Sequence, residues 1–256
     1  MLRRLLRQTS LAVCEISKRT MADKVLDVSA MRKPYHDKQG VFDLHHLSAQ
    51  EPFAQFRAWF TEACSHPGIF EANAMSLATA TKDGKPSVRM VLLKGYDDEG
   101  FKFYTNYESR KGQELADNPQ ACLMFYWEAL KRYVRIEGQV SKLSTEESTE
   151  YFHSRPKSSQ IGACVSPQSR VVESRQVLDQ KNEELEEKYK AEDSVIPKPD
   201  YWGGFLVKPD KFEFWQGQTN RVHDRLVFRR PEEGEHIDPK MTLKVENGWL
   251  LERLAP

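Results

Sequence analysis

Between Phe212 and Arg225 the chain reads FEFWQGQTNRVHDR. Arg221 and Arg225 flank His223 at alternate positions, and Trp215 precedes them across a turn rich in Gln, Gly and Asn. Fixed guanidinium charges beside an imidazole can hold an anion and orient or move a proton. The alternation of Phe212, Glu213, Phe214 and Trp215 predicts a strand, and Gln216 to Asn220 predicts a turn. A second strand is expected from Arg221, with Arg221, His223 and Arg225 on one face and Val222, Asp224 and Leu226 on the other. The same alternation also fits the wet face of an edge strand, because charged residues are mostly exposed. A Trp and a Gly-containing turn beside it suit a small-molecule pocket.

Three further stretches offer sites for anions. In RMVLLK, Arg89 and Lys94 stand five positions apart. Their opposite parity in a strand suggests two neighbouring anions rather than one, unless they are simply isolated cations at strand ends. In YTNYESRKGQEL, Ser109 can cap a helix whose first turn holds Arg110 and Lys111. Cations are unfavourable at that end of a helix, and a bound anion would remove the conflict. In YFHSRPKSSQIGACVSPQS, Tyr151 and Arg155 lie one helical turn apart, with Ser159 just past Pro156. A phenol, a guanidinium and a hydroxyl can share one dianion, although a plain helix end has the same composition. Taken together, these stretches favour a ligand with more than one phosphate, or two phosphorylated ligands. No Ser-His-Asp or Cys-His arrangement and no glycosidase-like pair of carboxylates is evident, so an organic cofactor is expected to carry any chemistry.

The elements around these residues read as antiparallel strands interrupted by helices. Phe53, Phe56, Trp59 and Phe60 predict an apolar helix face, with ordered structure from about Ser48. AMSLATAT and PSVRMVLLKGY, joined by KDGK, predict a hairpin. FKFYTNY, ACLMFYWEAL and YVRIEGQV add strands, and two helices follow, STEESTEYFHSR opened by Ser144 and Glu147, and a charged one from Ser174 to about Tyr189. Strands resume at Trp202, with a polar loop from Pro231 to Lys240. The expected class is mainly β with helices, a closed or half-closed barrel in one domain over residues 48–256 after an N-terminal tail, residues 1–47. No dinucleotide or Walker A motif is seen.

The chain has 256 residues, with 38 basic and 38 acidic side chains. That balance argues against a broad nucleic-acid or membrane-surface binder, so any anion site must be local. Its 4 cysteines lack zinc or disulfide spacing, which points to a reduced intracellular, cytoplasmic protein without a metal. Residues 1–20 are Arg-rich and acid-poor, as a mitochondrial presequence would be.

FEFWQGQTNRVHDR resembles the signature of the pyridoxine/pyridoxamine 5′-phosphate oxidase family, and RMVLLKG, TNYESRKG, YFHSRPKSSQIGA and the terminal ERLAP resemble its other motifs. The resemblance runs from about Met31 to Pro256. It implies an FMN-binding split β-barrel, a homodimer with flavin between subunits, and oxidation of pyridoxamine or pyridoxine 5′-phosphate to pyridoxal 5′-phosphate, with O2 as acceptor and H2O2 as product. By resemblance, FMN is held by Arg89, Met90, Val91, Leu92, Tyr104, Thr105, Arg110, Lys111, Gln168, Ser169, Trp215 and Arg225. The vitamer phosphate falls to Lys94, Tyr151, Arg155 and Ser159, and the reacting carbon to Arg221, Val222 and His223. Arg32, Lys33, Pro34 and Tyr35 match a segment that covers the substrate. Tyr133 departs from the family's usual Gln, and a phenol offers fewer hydrogen-bonding groups to flavin. A non-catalytic FMN- or pyridoxal-phosphate-binding protein and a nicotinamide-driven flavin reductase are the rival functions.

Overall fold

A computed structural model of the chain describes residues 29–31, 34–35 and 40–256. The chain divides into two compact units, Met1–Lys33 and Pro34–Pro256, and the second carries the fold. The candidate presequence, and Arg32 and Lys33 of the RKPY segment, lie outside the described residues.

Helix α1 (Pro52–Ser65) forms where the aromatic spacing places it. Glu51 caps it by accepting from the Ala54 N–H, and Pro52 occupies the first turn, where a missing donor is no loss. Phe53, Phe56 and Trp59 are buried, with Phe60 packed partly against the core. Packing begins earlier than Ser48: Phe42 is buried with its ring 4.9 Å from Trp59. A single aromatic in a polar stretch carries no periodic signal.

The hairpin is β1 (Ala74–Ala80) and β2 (Pro86–Leu92), turned at Gly84, whose φ of 84° favours glycine. β3 (Gly95–Asp97) and β4 (Gly100–Asn106) follow, then α2 (Arg110–Asp117), β5 (Gln120–Trp127) and β6 (Arg132–Lys142). Three helices come next, α3 (Thr145–Ser154), α4 (Lys157–Val165) and α5 (Arg175–Lys188), before β7 (Trp202–Gln216), β8 (Asp224–Arg229), β9 (Thr242–Lys244) and β10 (Leu250–Arg253). The sequence predicts only two of those helices. α4 is short and its apolar Ile161 and Val165 span a single turn, too little to distinguish a helix from the end of α3.

All strands pair antiparallel, in the order β2-β1-β5-β6-β7-β8-β10-β9, with β4 joined to β3 and β7. β7 organises the sheet: its first half pairs with β4, its second half with β8, and its length with β6. Pro209 is tolerated within it because the register shifts beside it, between Glu137 and Gly138. The ladder is open, a half-closed barrel.

The buried face of the sheet contributes Leu77, Leu123, Phe125, Val134, Ile136, Phe212 and Phe214 to a core shared with α1. Burying each large side chain of this kind contributes about 1.5–3 kcal/mol. A second cluster, Phe152, Ile161, Val165, Ile196 and Trp202, fastens the three consecutive helices to the start of β7. Two glycines permit close approach there: a Cβ on Gly203 would lie 2.0 Å from the Tyr107 hydroxyl, and one on Gly204 would lie 2.7 Å from Tyr104. Among the described residues no helix is long and apolar enough to cross a membrane.

Candidate active site

The sheet and the second cluster leave a cleft of about 470 Å³ between them. Met90, Val91, Leu92 and Lys94 line it from the end of β2, Tyr104 and Thr105 from β4, and Lys111 from α2. Tyr151, Arg155, Ser159 and Gln168 line it from the helical side. Eleven residues singled out in the sequence, drawn from three stretches, therefore share one cavity. One wall is aromatic, with the Tyr104 and Tyr151 rings stacked at 3.8 Å and the Arg155 guanidinium 4.7 Å above Trp202.

Among the described residues, the cleft's cations lack acidic partners. Lys111 is buried and its Nζ donates to Gln168 Oε1 at 2.8 Å, Thr105 Oγ1 at 2.9 Å and Ser109 Oγ at 3.3 Å, all neutral acceptors. Burial, reinforced by the charge of Arg89, lowers its pKa to about 8. Arg155 donates through one nitrogen to the Ser159 carbonyl at 2.9 Å, while its other terminal nitrogen is buried with no hydrogen-bond partner among the described residues. A buried charge without a counterion is costly, and an orphaned guanidinium donor asks for an acceptor. Burial also pushes the Tyr104 phenol up to about 12, keeping it protonated as a donor.

Ser109 caps α2 by accepting from the Gly112 N–H at 3.3 Å, as its position predicts. The conflict of two cations in that first turn is answered differently for each. Arg110 pairs with Glu114 of its own helix at 2.8 Å, whereas Lys111 turns into the cleft. Arg89 also meets Glu114, at 3.4 Å, so neither Arg89 nor Arg110 is among the residues lining the cleft. Ser169 follows Gln168 with a left-handed φ of 70° and is likewise outside the lining.

The FEFWQGQTNRVHDR residues form a second region, at the β7–β8 corner. The second strand begins at Asp224 rather than Arg221. Arg221, with φ of 71°, and His223 belong to the connecting turn, and so do not share a strand face with Arg225. The turn is fixed by hydrogen bonds that alternation cannot reveal. The Gln218 N–H donates to His223 Nδ1 at 2.9 Å, and Gln218 Nε2 donates to Asp224 Oδ2 at 2.8 Å. Asp224 also accepts from the Phe42 N–H at 2.9 Å and from Arg253 at 3.1 Å. Burial, then the charge of Arg221, lowers the His223 pKa and favours neutral imidazole. With Nδ1 accepting, the neutral ring carries its proton on Nε2.

Glu213 anchors this corner. It is fully buried and accepts from Arg225 Nε at 2.7 Å, Arg135 at 2.7 Å and the Tyr133 hydroxyl at 2.8 Å. Burial alone would raise its pKa, but those donors hold it below the usual carboxylate value. Tyr133 stacks on Trp215, with centroids 4.9 Å apart and planes within 8°. Its phenol is pushed up to about 12, by burial and then by Glu213. Tyr35 stands edge-on to Trp215 at 6.0 Å and to His223 at 5.8 Å, and a Cβ on Gly217 would come within 2.5 Å of its ring. Arg221 and Val222 are exposed, as is Pro34.

Cleft and corner lie on one sheet but are not adjacent. The pairing runs Met90 to Ser76, Met124, Arg135 and Glu213, across β2, β1, β5, β6 and β7. At about 4.8 Å per strand, this separates them by roughly 20 Å. Glu213, Glu114, Gln218 and Asp224 were not predicted from the sequence as site residues. Glu114 alone left a local trace there, four residues after Arg110.

Residues 64–189 match the family model described as pyridoxamine 5′-phosphate oxidase, and residues 202–256 match the pyridoxine 5′-phosphate oxidase C-terminal dimerisation region. The chain is 56% identical over 232 residues to pyridoxine-5′-phosphate oxidase of Bos taurus, covering 90% of this chain and 88% of that one. It is 52% identical to pyridoxine/pyridoxamine 5′-phosphate oxidase of Bombyx mori, covering 90% of each. The solved structure of PhzG from Burkholderia lata 383 in complex with tetrahydrophenazine-1-carboxylic acid is similar, with TM-score 0.72 and 27% identity over 84% of this chain and 98% of that one.

Proposed function

The chain belongs to the pyridoxamine 5′-phosphate oxidase family, and we propose that it uses FMN and O2 to oxidise pyridoxamine 5′-phosphate and pyridoxine 5′-phosphate to pyridoxal 5′-phosphate, releasing H2O2. The observation that carries this reading is the pair of cations in one cleft without a carboxylate partner among the described residues, buried Lys111 and half-buried Arg155, each surrounded by further phosphate-type donors. They fit two phosphorylated ligands, the flavin and the vitamer.

When bound, FMN supplies the hydride acceptor and the route of electrons to oxygen. Lys111, Thr105 and Gln168 would hold its phosphate, with Ser169, Arg89 and Arg110 close behind, while Met90, Val91, Leu92 and Tyr104 form the adjoining wall. Arg155, Tyr151, Ser159 and Lys94 hold the substrate phosphate and thereby fix the position of the carbon to be oxidised. Arg221 orients the substrate ring and stabilises charge developing on it. His223, with its proton on Nε2, acts as a hydrogen-bond donor that orients Arg221 or substrate rather than as a base. Trp215 and Arg225 contribute the remaining flavin contacts. Tyr133 meets Glu213 and Trp215, so its effect on flavin passes through them.

The corner reaches a cleft through a second copy of the chain. Within one chain the two regions stand strands apart, and the sheet face between them is open and apolar: Val88 is 68%, Met90 62% and Tyr126 52% exposed. Such a face suits an isologous interface. The matched dimerisation region contains the corner.

The visible spectrum of the purified protein tests the function, before and after adding pyridoxine 5′-phosphate without oxygen. A flavin band that bleaches and returns on admitting air is expected. A band that stays unbleached would leave a binding protein, and bleaching only by NADH would make it a flavin reductase.

A further inference from the structure

Glu114 is a buried carboxylate that the proposed chemistry leaves unused. It lies on α2, is 4% exposed, and collects donors from three elements. One oxygen accepts from Arg110 Nε at 2.8 Å. The other accepts from the hydroxyls of Thr79 on β1 and Ser87 on β2, and lies 3.4 Å from the Arg89 guanidinium. Arg89 is turned the same way, donating to the Leu77 carbonyl at 3.1 Å, to Thr79 Oγ1 at 2.6 Å and to Ser87. Removing this carboxylate would leave two guanidiniums facing each other and free the first turn of α2, which carries Lys111, from the hairpin.

The charge count gives the cluster a direction. Arg89, Arg110 and Lys111 are three cations against one carboxylate, so two positive charges remain over, the charge that a phosphate dianion neutralises. We propose that Glu114 is a positioning residue for the flavin phosphate: it locks Arg89 of β2 and Arg110 of α2 together so that the α2 N-terminus presents Lys111 to the phosphate. The inference rests on the flavin reading above. It concerns only the phosphate end, because among the described residues the hydrogen bonds of Glu114 go to Thr79, Ser87, Arg89 and Arg110 and not to the wall of Met90, Val91, Leu92 and Tyr104.

The experiment titrates full-length apoprotein with FMN and, separately, with riboflavin, which lacks the phosphate, following quenching of flavin fluorescence. The Glu114→Gln variant is expected to lose about tenfold or more in FMN affinity, the scale of one charge-assisted contact, with riboflavin affinity unchanged within about twofold. Ser87→Ala, which removes one donor to Glu114 and keeps the helix, is expected to lose about threefold in FMN affinity alone, and keeps the test open if Glu114→Gln does not fold. Equal losses for both flavins, or an unchanged FMN affinity in both variants, would overturn the role of Glu114. If the unaltered protein itself showed no preference for FMN over riboflavin, the phosphate reading would fall first, and the proposal with it.

Discussion

The cleft and the β7–β8 corner use similar residues to opposite ends. At the corner, Arg225 and Arg135 meet the buried Glu213, and Arg253 meets Asp224. In the cleft, among the described residues, Lys111 is bonded only to neutral oxygens and Arg155 only to a backbone carbonyl. Matched charges fix a geometry and unmatched ones wait for a ligand. The same side-chain type is thus held in place by a carboxylate in one region, from which Arg225 is presented to flavin, and is left without one in the other.

The largest expected effect breaks the matched side. Glu213→Ala leaves Arg225 without its carboxylate and Arg135 with Glu137 alone, and chemical denaturation is expected to show a loss of about 3–5 kcal/mol. A loss below about 1 kcal/mol would mean the corner's charges are not held by that pairing.

Next comes the unmatched side. Lys111→Met should weaken FMN binding about a hundredfold, yet leave the apoprotein as stable as before or more so, because it removes an uncompensated buried charge. Simultaneous loss of binding and stability would place Lys111 among the structural charges instead. The pH dependence sharpens the point. The folded apoprotein releases the Lys111 proton near pH 8, while the unfolded chain holds it to about 10.5. The penalty for the buried charge is therefore full below pH 8 and disappears as pH rises toward 10.5. Unaltered apoprotein should gain stability over that window relative to Lys111→Met, by no more than about 3 kcal/mol, in melts of the two proteins side by side.

The smallest effect is at Tyr133. Tyr133→Phe removes one donor to Glu213 and keeps the stack on Trp215, so a loss of about 1 kcal/mol is expected from denaturation, with a lesser change in flavin affinity. A larger change in flavin affinity than in stability would show a direct flavin contact by the phenol.

Much of this contrast was legible in the sequence because it is local. Ser109, Arg110 and Lys111 declare a helix start with misplaced cations, and Tyr151 and Arg155 lie one helical turn apart with Ser159 just past Pro156. The strands alternate in the usual way, so the half-closed sheet and its hairpins could be expected. What sequence spacing misses is non-local. Asp224 is bonded to Phe42, far away in the chain, and Glu213 to Arg135 across a strand pair. Arg221 has strand-like neighbours but a left-handed backbone, because Gln218 and Asp224 close the turn around it. Helix α4 is too short to show a period of its own. The resemblance to a family supplied the two ligands' identity, and the structure adds which cations are free to meet them.

The most direct test of the two-region account is complementation between chains. Lys111→Met disables the cleft, and a chain with both Arg221→Ala and His223→Ala disables the corner, so each homodimer should be inactive. Co-expressed under two different tags and purified through both, the mixed dimer pairs one intact cleft with one intact corner from its partner. Recovery of about half the unaltered turnover with pyridoxine 5′-phosphate is expected, one working site of two. Mixed dimers as inactive as their parents would show that cleft and corner serve the same chain, and would contradict the account.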